Sequence, residues 1–285
     1  MIRFTTEDGK PTCVVELGDR IGVYLDNDAV SELARPGDLR TRFIGAIRRR
    51  GTLLFSFANA IEVSVSDAVR SFLDEIGPEW VPLALSPWQV AEREEAGAGP
   101  GAPISERFVT SYFQERAYEL SPNGSHLLDL SAETFFRLSA VVDWVRKDEV
   151  TARDSNQIDG AIRERIGVER AAYEARPAAL DESLPPIPFD ADRPAKFVLI
   201  HLMRTLVLEA KAYQLRPHDG LDLCHAVLAA SYGQLATLDR QWKRRIEGLP
   251  TPNQLAIVYY RPQVGELVDR LEMLVDETGV GTHAG

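Results

Sequence analysis

The sequence is poor in cysteine and has no long apolar run, and each shortage excludes a class of protein. Its two cysteines, Cys13 and Cys224, lie far apart and suggest neither a disulfide framework nor a zinc site. No apolar run approaches the roughly 20 residues that span a bilayer. The opening residues, Met1 to Asp8, are too polar for a signal peptide. We therefore expect a cytoplasmic protein that does not cross a membrane.

Positive charge is also scarce, because 32 lysines and arginines face 43 acids and give a net charge of −11. Broad, non-specific nucleic-acid binders are normally basic, so the charge argues against that class. The net charge is still compatible with a local basic patch, or with an acidic site that metal ions neutralise. Two basic clusters occur, and each is either a solvated helix face or a phosphate grip: Arg40, Arg42, Arg48, Arg49 and Arg50, and then Arg240, Lys243, Arg244 and Arg245.

The chain of 285 residues is 45% hydrophobic and 26% charged, which is typical of a globular protein with one large domain or a domain carrying an insertion. Residues 96–103 are rich in Gly, Ala and Pro, and 177–194 contain five prolines. Helical patterns lie between them, at about 105–119, 131–150 and 156–175. The sequence therefore predicts an α/β domain formed by residues 1–95 and 195–285, interrupted by a mostly helical insertion at 96–194.

The two flanking segments alternate between strand and helix patterns. Predicted strands lie at 12–17, 21–26, 53–56, 80–85, 234–238 and 256–260, with a small hairpin at the start and an edge position for 80–85 because of Pro82. Predicted helices lie at 38–50, from Asn59 to about Ile76, and at 195–215, 221–230, 240–247 and 262–276. Such alternation indicates a central parallel sheet flanked by helices.

Acids follow several of these predicted strands. Asp26 and Asp28 end the apolar run of residues 22–25, Glu62 follows the next strand, and Asp239 ends a later one. Asp222 opens the helix before that later strand. The plain alternative for Asp26 is a helix N-cap. Carboxylates gathered at one sheet edge repel each other unless a cation neutralises them, and a purely oxygen ligand set suits Mg²⁺ or Mn²⁺.

This ordered set of motifs resembles the PIN-domain nucleases. The matching segments are Tyr24-Leu25-Asp26-Asn27, Phe55-Ser56 with Glu62, Asp222 to Ala226, and Ala236 to Asp239. The resemblance implies an endoribonuclease that uses Mg²⁺ or Mn²⁺ to hydrolyse RNA, as in RNA processing or in the toxin half of a toxin–antitoxin pair. The long insertion departs from the family, and Asp28 stands where the family commonly has another polar residue.

The predicted site divides into three groups of residues. The catalytic and metal-binding acids are Asp26, Glu62, Asp222 and Asp239, with Asp219 as a further ligand. Supporting residues are Asp28, Ser56 and His225, although a lone histidine is more often a core residue. Phosphate-binding residues are Arg48, Arg49, Arg50, Lys243 and Arg244. Expected partners are RNA, a protein bound in an antitoxin-like manner or through the insertion, and a second copy of the chain.

Two other functions also fit the sequence. Asp26-Asn27-Asp28-Ala29-Val30 is similar to the Asp-x-Asp-x-Val signature of haloacid-dehalogenase-type phosphatases, with Asp26 as nucleophile and Asp28 as general acid. That reading leaves Asp222 and Asp239 without roles and lacks a convincing lysine motif. The third alternative is a catalytically inactive PIN-like scaffold that binds RNA or protein.

Overall fold

The computed structural model describes residues 2–7, 10–15, 19–64, 66–83, 87–96, 137–146, 149–176, 178, 187–250 and 252–280. Two strands at the start, β1 (Ile2–Glu7) and β2 (Lys10–Val15), form an antiparallel hairpin. The other five form one all-parallel sheet: β3 (Ile21–Tyr24), β4 (Gly51–Ser56), β5 (Trp80–Leu83), β6 (Leu235–Thr237) and β7 (Ile257–Tyr259). The predicted α/β class with a central parallel sheet is therefore confirmed.

Helices connect and flank these strands. In chain order, the described α-helices are α1 (Asn27–Leu33), α2 (Asp38–Arg50), α3 (Phe57–Glu62), α4 (Asp67–Ile76), α5 (Pro87–Glu95), α6 (Leu138–Arg146), α7 (Glu149–Ala175), α8 (Pro194–Leu208), α9 (Asp219–Tyr232), α10 (Arg240–Glu247) and α11 (Val264–Val280). Short 3-10 turns cover Glu209–Lys211, Pro252–Gln254 and Arg261–Gln263. Within the described ranges, no helix has both the length and the apolar character that a membrane span requires.

The strand order β5-β4-β3-β6-β7 gives the sheet a switch point. From β3 the chain adds β4 and β5 on one side, whereas β6 pairs with the other side of β3 and is followed by β7. In open parallel sheets, ligands bind beyond the carboxyl ends of the strands where the order reverses. The ends of β3 and β6 therefore mark the place where a site is expected.

The sheet separates two hydrophobic layers, because alternate strand residues face opposite sides. Val23 and Leu53 face one layer, which α2, α4, α6 and α11 help to build. Tyr24 and Leu54 face the other, which α7, α8, α9 and α10 cover. The described helices of the predicted insertion, α6 and α7, thus pack into opposite layers of this core.

The structure corrects three local predictions. The described part of the strand predicted at 12–17, which ends at Val15, pairs with β1 and not with the central strand. The helix predicted from Asn59 to Ile76 is two helices, because Ser66 begins α4 and its hydroxyl accepts a hydrogen bond from the Val69 N–H at 3.4 Å. Glu62 consequently ends α3 and does not lie near a helix start. The helix predicted at 195–215 ends at Leu208. The predicted helix at 105–119 lies outside the described residues.

Candidate functional site

Asp26 joins the ends of the two strands that flank the switch point. Its carboxylate caps α1 by accepting a hydrogen bond from the Ala29 N–H at 2.9 Å, and it accepts another from the Thr237 hydroxyl at 3.0 Å. The Asp26 N–H in turn donates to the Thr237 oxygen at 2.8 Å. Burial raises the pKa of Asp26, although these two hydrogen bonds act against the shift. Asp26 therefore caps α1 and also lies at the expected site.

Glu62 reaches the same edge from the end of α3. Its Oε2 atom accepts hydrogen bonds from the Asn27 side-chain amide at 2.7 Å and from His225 Nε2 at 3.1 Å. Burial alone would raise the pKa of Glu62, but the hydrogen bond and charge of His225, with a further contribution from His218, lower it below its usual range. Glu62 is therefore an ionised group held between α1 and α9.

His225 is buried and continues into a chain of polar groups beneath the site. Its Nδ1 atom lies 2.5 Å from the Tyr24 hydroxyl, which lies 2.8 Å from the Ser56 hydroxyl. Ser56 donates to Asn59 Oδ1 at 2.9 Å. Ser56 was predicted as a supporting residue of the acids, but the structure places it three hydrogen bonds away from Glu62, as the N-cap of α3.

Asp222 lies one helical turn before His225 on α9 and completes the group. Burial is the main cause that raises its pKa to about 7, and the charges of Asp239 and Glu62 add to the shift. The nearby Trp242 side chain and the charge of His225 act against this rise in the pKa of Asp222. Asp239 is exposed at the rim, where it caps α10 through the N–H groups of Gln241 and Trp242 at 2.8 and 2.7 Å. Four acids from separate segments thus lie within electrostatic reach of neighbouring site residues at the carboxyl edge of the sheet. They are Asp26, Glu62, Asp222 and Asp239.

Asp219 does not join this group, and Asp28 acts on it only through its charge, which adds to the rise in the pKa of Asp26. Both carboxylate oxygens of Asp219 accept from the Tyr213 hydroxyl, at 2.7 and 2.9 Å, and one also accepts from the Arg216 N–H at 2.5 Å. This placement contradicts the predicted ligand role, because Asp219 and Asp222 begin one helix but face different neighbours. Asp28 is exposed in the first turn of α1.

The predicted phosphate-binding residues lie in two different places. Arg48, Arg49 and Arg50 immediately precede β4, at the amino edge of the sheet and opposite the acids. Arg48 donates to the Glu75 carbonyl at 2.7 Å and lines a cleft of about 810 Å³ at that edge. Lys243 donates to Glu247 and to the Val258 carbonyl, at 2.6 and 2.5 Å, and Arg244 is exposed in the last turn of α10. For Arg48, Arg49 and Arg50, sequence proximity to an acidic strand end was misleading, because α2 carries the chain back to the other edge of the sheet.

Carboxylate oxygens are the ligand type that a hard divalent cation prefers. Among the described residues, no three His, Cys, Asp or Glu side chains form a ready-made metal cage. Mg²⁺, however, keeps several water ligands and needs one or two carboxylates from the protein. The Oδ1 atom of Asn27 is buried without a hydrogen-bond partner among the described residues, and the amide group that carries it is bonded to Glu62. Asp26, Glu62, Asp222, Asp239 and this amide group all carry oxygen atoms, the ligand type that Mg²⁺ and Mn²⁺ prefer.

Several residues that shape the site were not predicted from the sequence. The spacing of Ser56 and Asn59 is that of a capping box and was a readable signal. In the sequence, Tyr24 belongs to an apolar strand pattern, which gave no sign of its role beneath the site. Asp159 on α7 had no local signal, because its partners, the N–H groups of His218 and Gly220 at 3.2 and 2.9 Å, are about 60 residues away in sequence.

Comparison with protein-family models, with curated proteins and with solved structures found no match for this chain.

Proposed function

We propose that this chain is a metal-dependent ribonuclease that hydrolyses phosphodiester bonds in RNA, in the manner of a PIN-like nuclease. The observation that carries the proposal is the meeting of Asp26, Glu62 and Asp222 at the carboxyl edge of the switch point. A bound Mg²⁺ or Mn²⁺ there supplies charge neutralisation and an activated water for attack on a phosphate.

The side chains of the chain itself have separable tasks in this proposal. Asp26 and Asp222 would hold the ion, and the raised pKa of both groups is what crowded, buried carboxylates show before a cation neutralises them. His225 and Asn27 fix the orientation of Glu62. Asp239 at the exposed rim is the acid that an incoming substrate would meet first. The two distant cysteines support a cytoplasmic location.

The test compares the wild type with Asp26→Asn on a single-stranded RNA oligonucleotide, with Mn²⁺ or with EDTA. Asparagine keeps the oxygen that caps α1 and accepts from Thr237, so the fold should survive while the ion loses a charged ligand. We expect Mn²⁺-dependent cleavage to fall roughly 100-fold or more. Circular dichroism checks the fold, and Asp38→Asn, at an exposed acid that begins α2, controls for the change in net charge.

Unchanged cleavage by Asp26→Asn would reject the assignment of the site. A wild type that binds RNA and Mn²⁺ but never cleaves would indicate an inactive scaffold. Hydrolysis of a phosphate monoester that is lost in Asp28→Asn would instead favour the phosphatase alternative, in which the exposed Asp28 is the general acid.

A further inference from the structure

Arg245 is a buried cation with an unpartnered donor. Its side chain is 3% exposed, and its guanidinium carbon lies 4.7 Å from the Tyr213 ring centre and 4.6 Å from that of Trp242. Nε and Nη2 donate to Glu209 at 3.2 and 2.8 Å. Nη1 is buried and has no partner in the described part of the chain. A guanidinium stays charged, and buried donors normally have a partner, so Arg245 Nη1 is expected to bind an acceptor.

A second arginine repeats the same feature beside the first. Arg170 of α7 donates from Nε to the Leu206 carbonyl at 2.8 Å, while its Nη2 atom is buried without a partner among the described residues. Burial is the main cause that lowers the pKa of Arg170, and the charge of Arg245 is the next. The charges of Asp219 and Glu209 oppose this shift, so the two guanidinium groups already have acids nearby, and what each still lacks is an acceptor for one buried nitrogen.

The neighbouring acids are already engaged by other groups. Glu209 pairs with Arg245, and the oxygens of Asp219 accept from Tyr213 and Arg216. The Arg216 guanidinium lies 5.6 Å from the Tyr213 ring centre, so three arginines meet two acids at this place. The surplus of one positive charge and the two buried N–H groups match an oxyanion that offers several acceptor atoms.

The arginine pair lies next to the cluster of acids, and a single side chain separates the two. The ring of Trp242 lies against Arg245, and the side chain of Trp242 is close enough to Asp222 to lower its pKa. A phosphate held by the arginines would therefore lie one indole ring away from the acids. Arg170 is partly exposed, which leaves a route from solvent.

We infer that Arg170 and Arg245 form a phosphate-binding subsite that takes a backbone phosphate of the RNA chain next to the bond undergoing hydrolysis. The inference rests on the proposed function for the identity of the ligand, and on the two buried, unpartnered N–H groups for the subsite itself. It replaces the predicted grip by Arg48, Arg49 and Arg50, which lie at the opposite edge of the sheet.

The test measures binding without hydrolysis, with the full chain in EDTA at low ionic strength. The two ligands are a short single-stranded RNA and inorganic phosphate. We expect Arg170→Gln to weaken both affinities about tenfold, because it removes the charged donors. Arg170→Lys, which keeps the charge but not the planar donor group, should lie in between. Arg176→Gln removes an exposed arginine just beyond α7 and should stay within about twofold of the wild type.

Each outcome decides one of the two proposals. Equal affinities of Arg170→Gln and wild type would overturn the subsite, even if the RNA is cleaved with Mn²⁺. Tenfold weaker binding by that variant, in a wild type that never cleaves RNA, would keep the subsite and reject the ribonuclease. Phosphate that binds at Arg170 without being displaced by RNA would overturn the assignment to a polynucleotide and indicate a site for free phosphate.

Discussion

At the scale of single residues, hydrogen-bond direction fixes the proton positions beneath the site. The side-chain amide of Asn59 has one possible orientation, because its Oδ1 accepts from the Ser56 N–H and its Nδ2 donates to the Leu25 carbonyl, both at 2.9 Å. The Ser56 hydroxyl must then donate to Asn59 Oδ1. The Tyr24 hydroxyl must donate to Ser56, so it accepts from His225, whose Nδ1 consequently carries a hydrogen.

The Nε2 atom of His225 also carries a hydrogen. Glu62 Oε2 already accepts from the Asn27 amide, and a carboxylate there also accepts from His225 Nε2. His225 with hydrogens on both nitrogens is an imidazolium paired with an ionised Glu62. The directions of the shifts agree, since burial alone would lower the pKa of His225 but the hydrogen bond and charge of Glu62 raise it.

Tyr24→Phe tests this chain of donors. The substitution removes one oxygen from a fully buried position and leaves the His225 N–H and the Ser56 oxygen without their partner. We expect the free energy of unfolding, measured by urea titration, to fall by about 1–3 kcal/mol. The partly exposed Tyr260 provides the control, and Tyr260→Phe should change stability by no more than about 0.5 kcal/mol. Equal effects of the two variants would argue against the donor chain.

At the scale of elements, α9 depends on another helix for its start. His218, which precedes α9, has a left-handed backbone with a φ of 79° and makes no side-chain cap. Asp159 of α7 supplies the cap instead, through its bonds to the N–H groups of His218 and Gly220. Gly220 is required at this contact, because a Cβ atom there would lie 2.7 Å from the Asp159 carbonyl oxygen. The packing of α7 therefore sets the position of Asp222.

Asp159→Ala should consequently disturb both stability and the site. Loss of a buried cap with a charged acceptor should lower the free energy of unfolding by about 1–3 kcal/mol in urea titration. The variant should also bind Mn²⁺ more weakly, since the first turn of α9 carries Asp222. Glu164→Ala, at an exposed position of the same helix, is the matched control. A stable variant with normal Mn²⁺ binding would show that α9 needs no support from α7.

Local patterns explain which elements the sequence predicted well. The bounds of α2 and α10 match the predictions at 38–50 and 240–247, and β5 is an edge strand, as Pro82 indicated. The break before α4 was missed because apolar residues continue through it. The role of Asp159 and the Arg170–Arg245 pair were not readable, since each depends on contacts between segments far apart in sequence.

At the scale of the whole molecule, topology decides which charges meet. Because all five sheet strands are parallel, residues that follow strands share one edge, and this places Asp26 and Asp239 as predicted. The same rule sends Arg48, Arg49 and Arg50, which precede a strand, to the other edge. An acidic net charge of −11 is thus compatible with a local positive pair, formed where α7, α8 and α10 meet beside the acids.

The stability of the whole chain should depend on pH through Asp222. Its pKa is about 7 in the folded chain against 3.8 for an ordinary aspartate, so between these pH values the folded state holds a proton that the unfolded state lacks. The free energy of unfolding in EDTA should therefore fall as the pH rises from about 4 to 7 and level off above. Asp222→Asn removes this contribution and should be more stable than the wild type above pH 7, by roughly 2–4 kcal/mol.

Urea titrations of both proteins across this pH range report Asp222 together with its effect on its neighbours, because Asp26, Glu62 and His225 titrate in each and the charge of Asp222 raises the pKa of His225. Asp38→Asn, at an exposed acid, should keep the wild-type profile. Mn²⁺ should stabilise the wild type more at pH 8 than at pH 5, since protons compete with the cation for the same carboxylate, and it should have a much smaller effect on Asp222→Asn. Parallel pH profiles for the wild type and Asp222→Asn would mean that this carboxyl titrates normally, and the crowding of acids proposed to attract a cation would then be absent.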